Sequence, residues 1–294
     1  MTTAHRSGLV AIVGRPSVGK STLLNRLVGH KISITSKKPQ TTRHRIVGVL
    51  TERDTQFVFV DTPGFQTRHR SRLNDRMNRA VRDSLESVDV VVLVVDASQL
   101  TPADREVVAL LPAAQPVVVA VNKVDTLADK AVLLPRLAQI AAWRDFTALV
   151  PVSAEKGTQL AALKAEIAKQ LPESPPLYDE DTLTDRDERF LAAEFIREKI
   201  FRLLGDEVPY STTVGIERFE QEGKLRRIAA VVYVEKATQR AILLGEGGST
   251  IKAIATQARF DMQTLFGGTV FLEIWVRVKR GWAESDASLT RMGY

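Results

Sequence analysis

Cysteine is missing from the 294-residue chain. Its absence rules out a disulfide framework and any thiolate metal site, and it suits a reducing cytosol. Histidine is scarce. The four present, His5, His30, His44 and His69, fall at no ligand spacing, so none is read as metal-binding or catalytic. No Ser–His–Asp pairing stands out. Long apolar runs are lacking too: runs such as residues 90–95 are far too short to span a bilayer. Residues 1–8 lack the apolar core of a signal peptide. Any membrane contact would be peripheral. There is no long internal repeat and no low-complexity tract.

What remains is the composition of an ordinary folded protein, 44% hydrophobic and 26% charged. The length suits about two domains and allows a sizeable core. A net charge of +6 hints at an acidic partner such as nucleic acid. That charge is unevenly spread. Residues 1–174 hold 24 basic and 16 acidic side chains, a net of +8, whereas residues 175–294 hold 17 and 19, a net of −2. Nucleic-acid binding must therefore be argued from local groups.

Short valine-rich runs at 9–13, 57–60, 88–95, 117–121 and 148–152 read as buried, mostly parallel strands. Amphipathic stretches near 20–28, 72–87, 102–111, 127–142 and 158–171 alternate with them, which predicts a layered α/β fold with helices on both faces of the sheet. Residues 46–50 pair with 57–60 as a hairpin, giving one antiparallel edge. The alternation stops at Leu171-Pro172-Glu173-Ser174-Pro175-Pro176, where three prolines in five residues forbid a helix. Beyond it the pattern predicts a helix over 185–204 with Gly205 as its stop, strands near 212–218 and 228–235 around a turn at Gly223, helices near 238–244 and 249–265, and a strand near 269–278. The expected organisation is a first domain over 1–172, a linker over 173–184, a second domain over 185–282 with the order α-β-β-α-α-β, and a tail over 283–294.

Gly14-Arg15-Pro16-Ser17-Val18-Gly19-Lys20-Ser21, followed by Thr22, matches G-x-x-x-x-G-K-[ST] between a predicted strand and a predicted helix. The glycines let backbone N–H groups converge on phosphate, and the helix N-terminus adds a favourable dipole. Lys20 would reach the β- and γ-phosphates and Ser21 would ligate Mg²⁺. Asp61-Thr62-Pro63-Gly64 follows another strand; Asp61 would approach Mg²⁺, and the Gly64 N–H would sense the γ-phosphate. Asn122-Lys123-Val124-Asp125 ends a third strand. The Asp125 carboxylate can accept both guanine donors, N1–H and N2–H₂, and would be left unpaired by adenine. Asn122 can bridge the base and the phosphate loop, and the Lys123 stem can cover the ring. In Ser153-Ala154-Glu155-Lys156, the Ala154 N–H could donate to guanine O6. Within Pro39-Gln40-Thr41-Thr42-Arg43-His44, a threonine completes the Mg²⁺ shell with GTP bound: Thr42 is the choice and Thr41 the alternative.

Leu244-Gly245-Glu246-Gly247-Gly248-Ser249, with Lys252 beyond it, fits the G-x-x-G loop of a KH module between two helices. Such a loop brings backbone close to about four nucleotides. Glu246 would repel phosphate unless it points away. Lys236, Arg240, Lys252, Arg259, Arg277, Lys279 and Arg280 can compensate. Trp275 and Trp282 read as packing residues. Arg68, Arg70, Arg72, Arg76, Arg79 and Arg82 read as a solvated helix face, with an arginine finger in cis, or a contact to RNA phosphate, as the other reading.

The nucleotide boxes resemble the translation-factor-related branch of P-loop GTPases over residues 8–171. The whole chain resembles the Era family of ribosome-assembly GTPases nearly end to end. The match rests on Gly14 to Ser21, Gln40-Thr41-Thr42-Arg43-His44-Arg45, Asp61 to Gly64, Asn122 to Asp125, Ser153-Ala154, Gly245 to Gly248 and Trp275-Val276-Arg277-Val278. The resemblance implies a Ras-like GTPase domain followed by a type II KH domain. It implies hydrolysis of GTP to GDP and phosphate with Mg²⁺, in which Lys20, Thr42 and Gly64 serve the γ-phosphate. It implies binding near the 3′ end of small-subunit (16S) ribosomal RNA during 30S maturation, coupled to the GTP state. It also implies a cytoplasmic monomer loosely associated with the inner face of the membrane.

Two departures stand out. The glutamine that orients water in many such switches is Phe65 here. The phosphate-loop asparagine that helps hold K⁺ in cation-dependent relatives is Ser17, which counts against K⁺ activation. Three rival readings stay open: a GTPase of tRNA modification or large-subunit assembly, a nucleotide-gated binding module with negligible hydrolysis, and a second domain that contacts protein only.

Overall fold

The computed structural model of the chain describes residues 5–65, 72–205 and 207–282, and the backbone alone of residues 72–74. The chain divides into two compact units. Of the described residues, one holds those up to Ser33, residues 42–65 and Arg76 to Asp185; the other holds Ile34–Thr41, residues 72–75 and those from Arg186 onward.

The first unit is a six-stranded sheet built from β1 (Arg6–Val13), β2 (Ile46–Glu52), β3 (Thr55–Asp61), β4 (Val90–Asp96), β5 (Val117–Asn122) and β6 (Ala148–Pro151). Its order is β2-β3-β1-β4-β5-β6, with only the β2–β3 pair antiparallel. β-Branched residues are stiff and fit a pleated surface covered on both sides, which is why β4 and β5 are buried at every position. The helices are α1 (Lys20–Val28), α2 (Arg72–Glu86), α3 (Pro102–Val108), α4 (Leu133–Ala141) and α5 (Leu160–Ala168). α2 buries Met77, Val81 and Leu85, while Arg79 and Arg82 stay exposed, the solvated face read from its charge run.

Parallel pairing with right-handed crossovers gathers the carboxyl ends of the strands on one side, where open α/β sheets hold ligands. Gly14, Asp61, Asp96, Asn122 and Ser153 lie at or just past those ends.

Some elements differ from the expected ones. The helix over 127–142 is two 3₁₀ turns, Val124–Thr126 and Lys130–Val132, before α4. Asp129 caps the second turn by accepting from Ala131 N at 2.8 Å, and Pro135 is tolerated only in a helix's first turn. Segment 173–184, expected as a linker, lies within the first unit along β2 and β3. The fully buried Gln56 side chain holds it: Oε1 accepts from Leu177 N at 2.7 Å and Tyr178 N at 3.0 Å, and Nε2 donates to Tyr178 O at 2.8 Å.

The second unit runs α6 (Glu188–Leu203), β7 (Thr212–Glu222), β8 (Leu225–Val234), α7 (Ala237–Leu244), α8 (Ser249–Phe266) and β9 (Thr269–Val278). β7 and β8 form a hairpin through Gly223, and β9 runs parallel to β8, in the order β7-β8-β9. One sheet face and helices α6 to α8 share a core of Ile196, Ile200, Val232, Leu243, Ala258 and Met262. α6 also buries Glu194, Arg197, Glu198 and Lys199. They are tolerated because they pair: Glu194 with Arg197 at 2.5 Å, and Lys199 with Glu198 at 2.8 Å and with Asp261. The helix ends before Gly205, because Leu204 is already extended at φ −103°, so no left-handed stop is used.

The tryptophans divide. Trp282 is fully buried and its Nε1 donates to Ser211 O at 3.1 Å. Trp275 is 46% exposed, contrary to its reading as a packing residue. Ile274 and Val276 take the core side of β9, so the alternation of a strand sends Trp275 to the other face.

Candidate functional site

The phosphate loop leaves β1 at Gly14 and enters α1 through Gly19, whose φ of 101° is left-handed. A Cβ on Gly19 would sit 2.4 Å from Asn122 Nδ2, so glycine is required both for the backbone and for the close approach. Lys20 is buried and points back across the loop, donating to Gly14 O and Arg15 O at 3.0 Å each. Burial pushes its pKa down to about 8; Asp61 opposes that shift and Arg15 adds to it. A buried cation over a ring of backbone groups is an anion site. Thr22 follows, half-buried, on the first turn of α1.

Arg15 turns outward. Its Nε donates to both Asp104 oxygens at 3.1 and 3.2 Å and Nη2 to Gln99 O at 2.9 Å. Asp104 also closes the capping box of α3, accepting from Thr101 N and Oγ1 at 2.7 and 2.9 Å. The loop is thus braced from α3 by a buried acid outside every box.

Ser21, Thr42 and Asp61 converge. Ser21 Oγ lies 2.8 Å from Thr42 Oγ1 and donates to Asp61 Oδ2 at 2.7 Å. Of the two candidate threonines, Thr42 joins this cluster, while Thr41 Oγ1 donates to Lys38 O at 2.8 Å. Burial pushes the Asp61 carboxyl above its usual range; hydrogen bonds from Ser21 and Ser33 and the charge of Lys20 oppose this. Asp61 Oδ1 is buried with no partner. A buried carboxylate with one idle oxygen, bonded through the other to one of two adjoining hydroxyls, is the donor set of a hard, oxygen-seeking cation, and it fits Mg²⁺.

Beyond Asp61 the box divides. Thr62 Oγ1 donates to Ile12 O at 3.0 Å and ties β3 to β1. Pro63 and Gly64 are buried, and Gly64 backs onto Pro16, its missing Cβ falling 2.9 Å from the Pro16 Cα. The Phe65 side chain is in the hydrophobic core. Arg68 and Arg70 lie outside the described residues, as does the side chain of Arg72.

On the base side, Asn122 is the central tie. Its Nδ2 donates to Val18 O at 2.9 Å, and its Oδ1 accepts from Ala154 N at 2.9 Å. The Ala154 N–H, assigned from sequence to guanine O6, is therefore engaged in bracing the site. Lys123 is left-handed at φ 66° and its Nζ reaches Asp96 Oδ2 at 2.7 Å and Ser17 O at 2.8 Å. Ser17 is itself left-handed at φ 64°. Burial works to raise the Asp96 carboxyl, but hydrogen bonds from Lys123 and Ser98 hold it below its usual range. Asp96 was not among the sequence candidates; its one signal is an acid ending a valine strand in register with Asn122. Asp125 is exposed and makes no hydrogen bond among the described residues, so both its oxygens are open to a donor edge. Ser153 Oγ accepts from Lys156 N at 3.0 Å, and Arg26 holds the carbonyls of Ala154 and Glu155 at 3.3 and 2.7 Å.

In the second unit, α7 ends at Leu244, and after Gly245 a 3₁₀ turn, Glu246–Gly248, opens into α8 at Ser249. A Cβ at Gly245 would fall 2.2 Å from Thr250 Oγ1, so this position excludes any other residue. Gly247 and Gly248 have φ of 57° and 79° with open space around them, and Glu246 is exposed. Lys252 is exposed and without an ion pair among the described residues. Other cations proposed to compensate for Glu246 are engaged: Arg277 pairs with Glu217 at 2.5 Å, Lys279 lies over the Tyr233 ring at 5.8 Å, and Arg240 Nε donates to Val276 O at 3.3 Å.

Comparison with known proteins agrees with both units. A family described as 50S ribosome-binding GTPase matches residues 9–123, and the KH domain family matches residues 207–283. GTPase Era of Nitrosomonas eutropha is 54% identical over 292 residues, covering 99% of each chain, and GTPase Era of Chromobacterium violaceum is 53% identical over 291. Among solved structures, an Aquifex aeolicus Era variant bound to GDP and AlF4⁻ has a TM-score of 0.94 at 37% identity, covering 98% of this chain and 99% of that one. An Era complex with MgGDPNP and nucleotides 1506–1542 of 16S ribosomal RNA also has a TM-score of 0.94 at 37% identity, covering 99% of each. With relatives at 54% and 53% identity over nearly its whole length, and with a phosphate loop and a KH unit in one polypeptide, the chain belongs to the Era family of P-loop GTPases.

Proposed function

We propose that this GTPase uses its nucleotide state to govern binding of the 3′ region of 16S ribosomal RNA through Gly245 to Gly248, and that it acts in maturation of the 30S subunit. The observation that carries the reading is the pairing of a guanine site with an uncovered KH loop in a chain that matches, over 99% of its length, an Era bound to both nucleotide and 16S RNA.

The nucleotide would be held in three parts. Backbone N–H groups of the phosphate loop and the Lys20 ammonium take the β- and γ-phosphates. Ser21, Thr42 and Asp61 hold Mg²⁺, which when bound supplies positive charge where the transferred phosphoryl develops negative charge. Asp125 accepts from the guanine edge while Asn122 and Lys123 keep its turn fixed to the phosphate loop. Thr42 and the Gly64 N–H report the γ-phosphate, since each sits on a loop that loses its partner when phosphate leaves.

Phe65 is in the core and offers no donor or acceptor for the attacking water. We therefore expect slow intrinsic turnover, raised by bound RNA or another partner. Equal turnover in KCl and NaCl would exclude K⁺ activation. We further propose, on family resemblance, a cytoplasmic monomer loosely associated with the inner face of the membrane; cell fractionation and light scattering test this.

The deciding experiment is crosslinking of bound RNA in the presence of GTP and of GDP. Recovery of the 16S 3′ end, enriched with GTP, is expected. Recovery of an internal tRNA or 23S site would overturn the reading in favour of another RNA substrate. Separately, Asp125→Asn should shift preference from guanine toward xanthine nucleotides; strict GTP selectivity in that variant would remove the role given to Asp125.

A further inference from the structure

Asp61 has one oxygen engaged and one idle. Oδ2 accepts from Ser21 Oγ at 2.7 Å and from Ser33 Oγ at 2.9 Å, while Oδ1 is buried with no partner. Ser21 belongs to the phosphate helix and is itself a metal candidate. Ser33 belongs to no box. It lies in the loop after α1, fully buried, and its hydroxyl has Asp61 as its partner.

The Ser33 backbone is fixed from both sides by one residue of α1. Asn25 Oδ1 accepts from Ile32 N at 3.0 Å and from Ser33 N at 2.9 Å, and Asn25 Nδ2 donates to Ser33 O at 2.7 Å. Ile32 and Ile34 on either side are apolar and each 1% exposed. Packing there does not call for a hydroxyl, and a buried hydroxyl must find an acceptor. Here the acceptor is the carboxylate of the magnesium cluster.

We propose that Ser33, clamped by Asn25, is a positioning residue for Asp61: it holds Oδ2 beside the Ser21 hydroxyl and so fixes how the carboxylate is presented to the magnesium side of the nucleotide site. The inference rests on the reading of Asp61 as a magnesium-site carboxylate. Groups that hold a metal-site ligand in place are worth roughly 10–100-fold in metal affinity. Without Ser33 the carboxylate loses one of its two side-chain donors and keeps Ser21 and the Thr62 backbone, so its orientation is less tightly held.

The test is release of mant-GDP from the full-length protein across buffered free Mg²⁺. Ser33→Ala should raise the free Mg²⁺ that half-maximally slows release by about tenfold. Release in excess EDTA should stay unchanged, and the melting temperature of the nucleotide-free protein should fall only by the few degrees expected for one buried hydrogen bond. Ser33→Thr should restore the wild-type midpoint, and Asn25→Ala should shift it in the same direction by a smaller factor. A wild-type midpoint in Ser33→Ala overturns the proposal. Equal acceleration in EDTA, or a lowered melting temperature without a midpoint shift, also overturns it, because the role would then be structural. If Ser33→Ala fails to fold, Ser33→Cys, whose thiol is a weak donor, is read the same way, and an unshifted midpoint is again fatal. Wild-type release that ignores Mg²⁺ would sink the magnesium reading itself, an outcome separate from all of these.

Discussion

The molecule carries two glycine loops at helix N-termini, and they are built in opposite ways. Gly14 to Ser21 is enclosed: Lys20 is buried beneath it, Asp104 braces Arg15, and Asn122 and Lys123 tie it to the base-side loops. Gly245 to Gly248 is open: Glu246 and Gly247 are exposed, and Lys252 is a cation standing near it without an ion pair. On the proposed function, both would offer backbone N–H groups to phosphate. The enclosed loop is shaped for a compact triphosphate with a fixed charge, held one at a time. The open loop suits a chain that passes through, whose specificity comes from bases beyond the phosphate. Enclosure, rather than glycine content, separates a nucleotide pocket from a nucleic-acid clamp.

The largest way to break the comparison is Lys20→Ala. Two charge-assisted bonds to phosphate would be lost, about 3 kcal/mol or roughly 150-fold in GTP affinity. Titration with a fluorescent GTP analogue measures it. RNA affinity of the nucleotide-free protein should not change. A loss below tenfold would mean that the enclosed loop works through its backbone alone, as the open one does.

Next in size is Gly247→Asp combined with Gly248→Asp. Both positions have space for a side chain but left-handed φ, so each Asp costs about 1–2 kcal/mol of turn strain, a loss that the melting temperature of the variant measures, and two carboxylates at the open loop should weaken RNA binding by roughly tenfold or more. GTP affinity should be unchanged. Gly245→Ala sharpens the contrast, because its Cβ would collide with Thr250 and destabilise the second unit by about 1–3 kcal/mol. A KH unit that melts normally with Gly245→Ala would contradict the geometry of the turn.

How far the sequence could be read follows the same division between local and distant causes. The boxes were legible because each is a contiguous run whose spacing carries a mechanism, and the strands because valine runs are buried on both faces. What brings separate runs together was not legible. Ser33 and Asn25 act on Asp61 across the fold with no spacing to mark them, and Asp104 braces Arg15 from another helix. The Ala154 N–H was assigned to the base, yet it serves Asn122. The segment Ile34–Thr41 reads as an ordinary loop of the first domain but clusters with the second unit, where Thr35 N donates to the buried Glu198 at 2.8 Å. Trp275 looked like packing because a strand's register against its core is invisible in one sequence.

A smaller effect sharpens the meaning of enclosure. Burial lowers the Lys20 pKa to about 8 in the free protein. Phosphate favours the ammonium and raises that value, so binding takes up a proton wherever the free form is neutral. At pH 9 the uptake on GDP binding should approach about 0.9 proton, and at pH 7 it should fall to about 0.1. Calorimetry in buffers of different ionisation enthalpy reads it directly. The sign also fixes the stability of the empty protein. The unfolded lysine stays protonated to about pH 10.5 while the folded one does not, so Lys20 makes the empty protein more stable as pH rises above 8. Proton release, or uptake independent of pH, would place the Lys20 charge in water instead.

The smallest expected effect is at the open loop. Lys252 stands on the first turn of α8, exposed, and its charge is not shared with a carboxylate among the described residues. If it neutralises one phosphate, Lys252→Gln should lower the magnitude of the salt slope for single-stranded RNA by about 0.7 and weaken binding about threefold. The loss should be the same for every sequence tested, because a phosphate contact carries no base information. Filter binding across a series of KCl concentrations separates the two possibilities. A reduced slope means the open loop borrows one cation from its helix. An unchanged slope means it holds RNA through backbone N–H groups alone, which would make the two loops differ in charge as completely as they differ in burial.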